Sequence, residues 1–237
     1  MEKPNKTVGA DGCPGGWAVF AIEGSSYTFE VIRTVEELIQ RHGDAHHILI
    51  DMPIGLPQSR EDVRPDALAR RVLGSRASTV FNCPCRQAVY AQADEASRVN
   101  REVLGKRLSY QSVSLIPKIR AVDTLLRQHP ELAVRLVESH PELVFAKLSG
   151  TPVQEPKRTP EGMARRLDIL SGLWAPSYRA FVGIRIPVSK AAPDDVVDAM
   201  CLAVVGQIAP RTGLKTLPDV PMLDICGLPM QMAFAAP

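Results

Sequence analysis

Apolar runs separated by short glycine-containing turns open the chain and predict three strands. The strands cover residues 7–11, 17–22 and 27–33, and the turns cover residues 12–16 and 23–26. Turns this short join antiparallel neighbours, whereas parallel strands need a long crossover. The pattern therefore predicts an antiparallel meander at the start of the fold.

A helix and a fourth strand follow the meander. Residues 35–40 form an amphipathic helix pattern with Thr34 as N-cap and Gly43 as its stop, and residues 46–51 form a buried strand pattern. Because a helical crossover separates strands three and four, strand four is expected to lie parallel to strand one. The predicted order is β-β-β-α-β, and strands one and four end at the same edge of the sheet.

The remainder of the chain has mainly helical patterns within one α/β domain, residues 1–237. A helical insertion is predicted at about residues 58–130, followed by a fifth strand over residues 133–138. The tail after Arg211 has no readable pattern. The predicted helices cover residues 65–73, 87–93, 95–104, 113–127, 160–170 and 195–208.

Acidic residues close three of the predicted strands. Asp11 ends strand one, Asp51 ends strand four and Glu138 ends strand five. A carboxylate is costly to bury alone, so an aspartate at the end of an apolar strand is typical of an edge where a metal or a substrate binds. Aspartate is also common in turns, and turn shaping remains an alternative for Asp11 and Asp51.

Two further carboxylates lie at the start of the last predicted helix. Asp195 and Asp198 are three positions apart, which places them on one face near the positive end of the helix dipole. Asp194 is predicted to be the N-cap, and a first-turn dipole role is the alternative for Asp195. Asp198 interrupts apolar positions and needs a partner if it is buried. Together with Asp11 and Asp51, these residues predict a metal-binding carboxylate cluster.

Composition places the chain among ordinary soluble proteins. It has 237 residues, 45% of them hydrophobic, and no apolar run long enough to span a bilayer. We expect a cytoplasmic location, no membrane association and five free cysteines. Cys83-Pro84-Cys85 lacks the paired spacing of a structural zinc site. The sequence does not indicate an oligomeric state.

Positive charge is concentrated in the predicted insertion. Residues 58–130 contain thirteen Lys and Arg residues against seven Asp and Glu residues. A positive surface beside a carboxylate site suits a metal-dependent enzyme that acts on phosphates, and a pair of solvated helices is the simpler alternative. His140 is either a proton-transfer group or a histidine bonded to the backbone. Trp17 and Phe81 are interpreted as core residues rather than base-stacking groups.

Several of these segments together resemble the family of predicted RNase H-like nucleases, long catalogued as a domain of unknown function. The resemblance spans nearly the whole chain. It rests on residues 8–17, 50–57, 138–142 and 194–199, with further similarity at residues 69–74, 78–81, Arg86 and 157–162.

The resemblance implies an RNase H-like fold, with a five-stranded mixed sheet flanked by helices, and two-metal hydrolysis of phosphodiester bonds. It implies that Asp11, Asp51, Asp195 and Asp198 bind Mg²⁺ or Mn²⁺, since hard oxygen ligands suit these ions. Glu138 is then a further ligand, a base or a supporting group. The expected partner is a nucleic acid or another phosphodiester. Candidates to hold its phosphates are Arg70, Arg76, Arg86 and Lys118.

Two other classes of function remain open. One is an ATP-dependent phosphotransferase of the actin-like type, whose fold also begins with a strand, an aspartate and a glycine turn, here Asp11 and residues 12–16. The other is a non-catalytic nucleic-acid-binding or regulatory protein that keeps the sheet without the chemistry.

Overall fold

A five-stranded mixed sheet flanked by helices forms the centre of this α/β protein, whose computed structural model describes residues 5–236. The strand order is β3-β2-β1-β4-β5. The first three strands are antiparallel and β4 pairs parallel with β1, as the sequence pattern predicts. In addition, β4 pairs parallel with β5. The bounds are β1 Lys6–Cys13, β2 Gly16–Glu23, β3 Ser26–Ile32, β4 His47–Asp51 and β5 Leu136–Glu138.

Helices fill most of the chain between and after these strands. Short 3₁₀ segments occur at Gly74–Thr79 and Pro130–Val134. Within residues 5–236, no helix has the length and apolar character needed to cross a membrane. The helices are α1 Val35–His42, α2 Asp66–Leu73, α3 Arg86–Tyr90, α4 Ala96–Leu104, α5 Tyr110–Gln128, α6 Pro141–Ser149, α7 Pro160–Ser171, α8 Ser177–Gly183 and α9 Pro193–Thr212.

The two faces of the sheet pack against different helices. Val8, Ala10 and Ile50 lie in the core formed with α1 and α5, whereas Phe20 and Leu49 lie in the core formed with α9. Side chains alternate between the faces of a strand. Thr7, Gly9 and Asp11 therefore share the face that α9 covers, and Asp51 shares it with Leu49.

Small residues let α9 lie directly against β1. A Cβ added at Gly9 would overlap the backbone of Ala199, and one added at Gly206 would lie 2.7 Å from Thr7 Cβ. The Thr7 hydroxyl donates a hydrogen bond to the Ala203 carbonyl oxygen at 3.0 Å. These contacts fix the middle of α9 along the first half of β1, and the direction of the helix then places Asp198 toward the Asp11 end of the strand.

The structure differs from the sequence prediction in three places. Strand five has only three residues, because the 3₁₀ segment Pro130–Val134 covers the start of the predicted strand. The pattern missed α6 and α8. It also missed a C-terminal hairpin of two strands, β6 (Lys215–Leu223) and β7 (Pro229–Phe234).

Candidate active site

Asp11 and Asp51 lie next to each other where the parallel pairing of β1 and β4 ends. Asp51 closes β4 as predicted, whereas β1 continues past Asp11 to Cys13. Their Cα positions are paired in the register of β1 and β4. Burial raises the pKa of Asp11 well above its usual range, and the nearby carboxylates of Asp51 and Asp198 raise it further. Burial also raises the pKa of Asp51, against the opposing effects of His140 and Lys157. The sheet edge therefore holds two carboxyl groups that favour a bound proton or a nearby cation.

Asp198 reaches the same site from α9. Its side chain is almost fully buried, its Oδ2 accepts a hydrogen bond from Lys157 Nζ at 2.6 Å, and its Oδ1 has no hydrogen-bond partner among the described residues. Burial raises the pKa of Asp198 to about 6, although Lys157 opposes the shift. An unpartnered oxygen of this kind is costly unless a ligand or a proton satisfies it.

Lys157 and Arg158, in the connection between α6 and α7, supply positive charge at the site. Lys157 Nζ also lies 3.4 Å from Asp194 Oδ2, and Arg158 Nε lies 3.2 Å from the same oxygen. Burial lowers the pKa of Lys157, but the carboxylates of Asp198 and Asp11 outweigh it and raise the pKa above its usual value. The Thr159 hydroxyl caps α7 through Gly162 N at 3.1 Å, which anchors this connection.

Lys157 is the main site residue that sequence reasoning missed. It lies within residues 157–162, one of the segments that carry the family resemblance, but it is 41 positions before Asp198 and outside any regular element. The resemblance of residues 157–162 to the family is the one sequence signal that points to Lys157.

The structure corrects the role predicted for Asp194 at the start of α9 and gives Asp195 a bond in the first turn, the alternative that the sequence left open. Asp194 was predicted to be the N-cap, which is wrong: Ala192 is the N-cap, and Asp194 pairs with Lys157 and Arg158. Asp195 Oδ2 accepts a hydrogen bond from Ala192 N at 2.8 Å, so one of its oxygens closes the first turn of the helix. Asp195 also lines the site cavity, and burial raises its pKa.

Glu138 forms a buried ion pair with Arg64. Arg64 Nη2 lies 2.7 Å from Glu138 Oε1 and Arg64 Nη1 lies 3.0 Å from Oε2, which also accepts from Ile54 N at 2.7 Å. Burial raises the pKa of Glu138 to about 7, although Arg64 opposes the shift. Both Glu138 oxygens are thus hydrogen-bonded. The carboxylate holds the segment that follows Asp51 in place and is not free to bind a metal.

Four basic residues were predicted to hold phosphates. Arg76 lines the cavity, whereas the other three are bonded elsewhere in the fold. Arg70 donates to the Val80 carbonyl oxygen at 2.8 and 3.0 Å, and Lys118 donates to the Cys13 carbonyl oxygen at 3.1 Å. Arg86 pairs with Asp123 at 2.7 Å and with Asp224 at 2.6 Å. These three side chains therefore hold parts of the fold together in this structure.

A cavity of about 560 Å³ contains the carboxylates. His140 lies on its wall with Nδ1 accepting from Leu143 N at 3.4 Å and Nε2 3.3 Å from the Thr79 carbonyl oxygen, as expected for a histidine bonded to the backbone. Trp17 is a core residue, as predicted, whereas Phe81 lines the cavity. Other lining residues include Asp11, Asp51, Glu138, Glu142, Lys157, Arg158, Asp195 and Asp198.

The donor chemistry of the site suits a hard divalent cation. Asp11, Asp51 and Asp198 offer only carboxylate oxygens, the ligands that Mg²⁺ and Mn²⁺ prefer, and the unpartnered Oδ1 of Asp198 can accept such an ion. As the side chains stand, no three His, Cys, Asp or Glu residues within residues 5–236 are arranged to hold a metal. Lys157 provides the positive charge at Asp198 instead, so a metal must compete with this ammonium group.

A comparison with family models shows to which family the chain belongs. Residues 9–223, which include every carboxylate of the site, match the family described as "Protein of unknown function (DUF429)". The chain belongs to the DUF429 family. Searches of the curated proteins and of the solved structures each returned no match to this DUF429 protein.

Proposed function

We propose that this DUF429 protein is an RNase H-like, metal-dependent phosphodiesterase that acts on nucleic-acid phosphodiester bonds. The observation that carries the proposal is the meeting of Asp11, Asp51 and Asp198 at one edge of the parallel strand pair. Asp11 and Asp198 are buried and Asp51 is partly exposed, and three carboxylates from three separate elements are costly to assemble and gain most from binding cations.

The topology supports the RNase H-like part of the proposal. A mixed sheet whose first three strands are antiparallel, followed by a parallel β4 and a late helix across β1, is the arrangement that the resemblance implies. Fold alone does not imply function, so the activity depends on the carboxylates.

In the proposed reaction, Asp11, Asp51 and Asp198 hold Mg²⁺ or Mn²⁺, with Asp195 beside them. When bound, the two ions activate a water molecule and stabilise the leaving oxygen of the phosphodiester. Arg76 and Arg158 lie on the same cavity wall and can hold the phosphate through their guanidinium groups. Glu138 and Arg64 fix the backbone next to Asp51.

The geometry of the glycine turn favours hydrolysis over phosphotransfer. In an actin-like enzyme, the turn after Asp11 would offer free backbone N–H groups to phosphate. Here Gly15 N donates to the Lys190 carbonyl oxygen at 2.8 Å, and Cys13 pairs with Gly16 across the β1–β2 turn. The turn is thus used to connect the strands and to anchor the segment before α9.

The test compares wild type with Asp51→Asn in thermal unfolding and in cleavage of bis(p-nitrophenyl) phosphate and a labelled oligonucleotide, with and without Mn²⁺. We expect Mn²⁺ to stabilise the wild type, since a ligand of the folded state raises its stability. The variant should lose this stabilisation. Its rate of cleavage should fall by more than about 100-fold, which exceeds the loss typical of residues that only support metal ligands.

Asp51→Asn without metal should be at least as stable as wild type, because the substitution removes a buried charge beside Asp11. A variant that keeps its stability without metal but loses the response to Mn²⁺ has therefore lost the metal site and not the fold. Asp94→Asn, at an exposed aspartate outside the cavity, is the matched control and should behave like wild type. Cleavage that persists in Asp51→Asn would refute the proposal.

A further inference from the structure

The size of the cavity restricts what can reach the carboxylates. Its volume of about 560 Å³ lies within the range of roughly 300–1,000 Å³ that is typical of small-molecule sites. Asp11 is 7% exposed and Asp198 is 2% exposed, so neither lies on an open surface. A substrate must enter the cavity for its phosphate to approach them.

Two buried oxygens without partners mark the cavity as a ligand site. Asp198 Oδ1 and Glu142 Oε2 have no hydrogen-bond partner in the part of the chain that the structure describes, and both residues line the cavity and are more than nine-tenths buried. Glu142 Oε1 is already engaged by Arg166 Nη2 at 2.6 Å. Oxygens of this kind gain free energy when a ligand supplies a cation or a donor group.

The insertion gives the cavity a wall suited to a nucleobase. Phe81, in the segment between α2 and α3, and Leu115, on α5, line it together with Met52 and Pro53. Asn82 and Ser114 add polar residues to the same lining, and the Ser114 hydroxyl donates to the Gln111 carbonyl oxygen at 2.8 Å. An apolar wall with a few polar groups can pack against a base and bond to its edge.

A nucleic-acid duplex is a poor match for carboxylates as deep as Asp11 and Asp198. Its phosphates lie on the outside of a stiff double helix, and its bases are stacked and paired. A single strand bends freely and its bases can unstack and pack against side chains. The buried carboxylates are therefore accessible to one nucleotide unit at a time.

We propose that the cavity binds a single nucleotide unit with its phosphodiester bond, either in a free dinucleotide or at the end of a single strand, and that it excludes paired nucleic acid. This proposal rests on the proposed phosphodiesterase activity and specifies its substrate.

The test gives the full chain and Mn²⁺ three substrates with the same sequence at the cleaved end: a dinucleotide, a single-stranded 12-mer and the same 12-mer in a blunt duplex. We expect the dinucleotide and the single strand to be cleaved about tenfold or more faster than the duplex, because a paired end must first open. Comparing the two accepted substrates shows whether the natural source is a free dinucleotide or a strand end.

A pair of variants tests whether the cavity sets this preference. Ser114→Trp places a large side chain in the cavity wall, and Gln128→Trp adds the same side chain at an exposed position of the same helix outside the cavity. We expect Ser114→Trp to lower kcat/KM for the dinucleotide about tenfold or more and to retain stabilisation by Mn²⁺. Gln128→Trp should match the wild type in both measurements.

The outcomes separate the two proposals. Cleavage of the duplex at the rate of the single strand, or full activity in Ser114→Trp, would overturn the substrate proposal and leave the phosphodiesterase intact. Absence of both Mn²⁺ stabilisation and cleavage of every substrate would overturn the phosphodiesterase, and the substrate proposal with it.

Discussion

At the scale of single residues, the site depends on how buried charges are compensated. Asp11 and Asp51 were predictable, because each follows an apolar run and a helical crossover makes the two strands parallel. The partner of Asp198 was not predictable. Lys157 comes from an irregular connection, and only the folded chain brings it 2.6 Å from that carboxylate.

Replacing Lys157 by methionine tests its role as an internal cation. The variant keeps the aliphatic stem but leaves Asp198 and Asp194 without their nearest ammonium group. We expect the free energy of unfolding without metal to fall by about 1–2 kcal/mol, less than for a fully buried pair, because a third of the lysine side chain is exposed. The rise in Tm on adding Mn²⁺ should become larger.

Lys6→Met provides the control for this measurement. It removes an ion pair of the same length, to Asp44 at 2.6 Å, near the opposite end of β1. Its response to Mn²⁺ should equal that of the wild type. A smaller Mn²⁺ effect in Lys157→Met would mean that the lysine supports the metal instead of competing with it.

At the scale of elements, the contact between α9 and β1 positions Asp198. The strands of the meander were predictable from apolar runs separated by short glycine-containing turns, and α9 from its long apolar run. Helix α6 was missed because most of its positions are buried, so it has no polar face to give a helical period. The hairpin of β6 and β7 was missed because Pro218 and Pro221 interrupt its first strand.

Gly9→Ala tests the contact between β1 and α9. The added methyl group meets the backbone of Ala199 and Ala203, so the helix must move away from the sheet. We expect a loss of about 1–3 kcal/mol in urea unfolding, the usual cost of overpacking a core, together with weaker stabilisation by Mn²⁺.

The control is Gly183→Ala, where an added Cβ meets nothing within 4 Å and the φ angle is not positive. This variant should unfold within about 0.5 kcal/mol of wild type. Unchanged stability in Gly9→Ala would show that α9 does not depend on this close approach.

At the scale of the whole molecule, Arg86 links three distant parts of the chain. It begins α3, pairs with Asp123 on α5 and pairs with Asp224 in the connection between β6 and β7. Asp224 also accepts hydrogen bonds from Leu56 N at 2.9 Å and Leu228 N at 2.9 Å. The guanidinium group of Arg86 thus joins the insertion to the C-terminal hairpin, and Asp224 extends this connection to the segment after β4.

Arg86→Met is expected to destabilise the protein by about 3–5 kcal/mol, because it leaves the buried carboxylates of Asp123 and Asp224 without their guanidinium partner, although each keeps other hydrogen-bond donors. Urea unfolding measures the loss. Arg98→Met, which removes an exposed arginine paired with Glu95 and Glu102 on α4, should change stability by no more than about 1 kcal/mol. Near-native stability in Arg86→Met would return that arginine to the list of candidate phosphate ligands.

The distance along the chain between Asp11 and Asp198 has a consequence for biosynthesis. A protein leaves the ribosome N-terminus first, so the meander and β4 emerge long before α9. Until α9 emerges, Phe20 and Leu49 lack the helix that buries them in the folded protein, so they are candidates for binding by chaperones. The carboxylate set is also incomplete throughout this period, so under the proposed phosphodiesterase activity a nascent chain would carry no competent site beside the messenger RNA that encodes it.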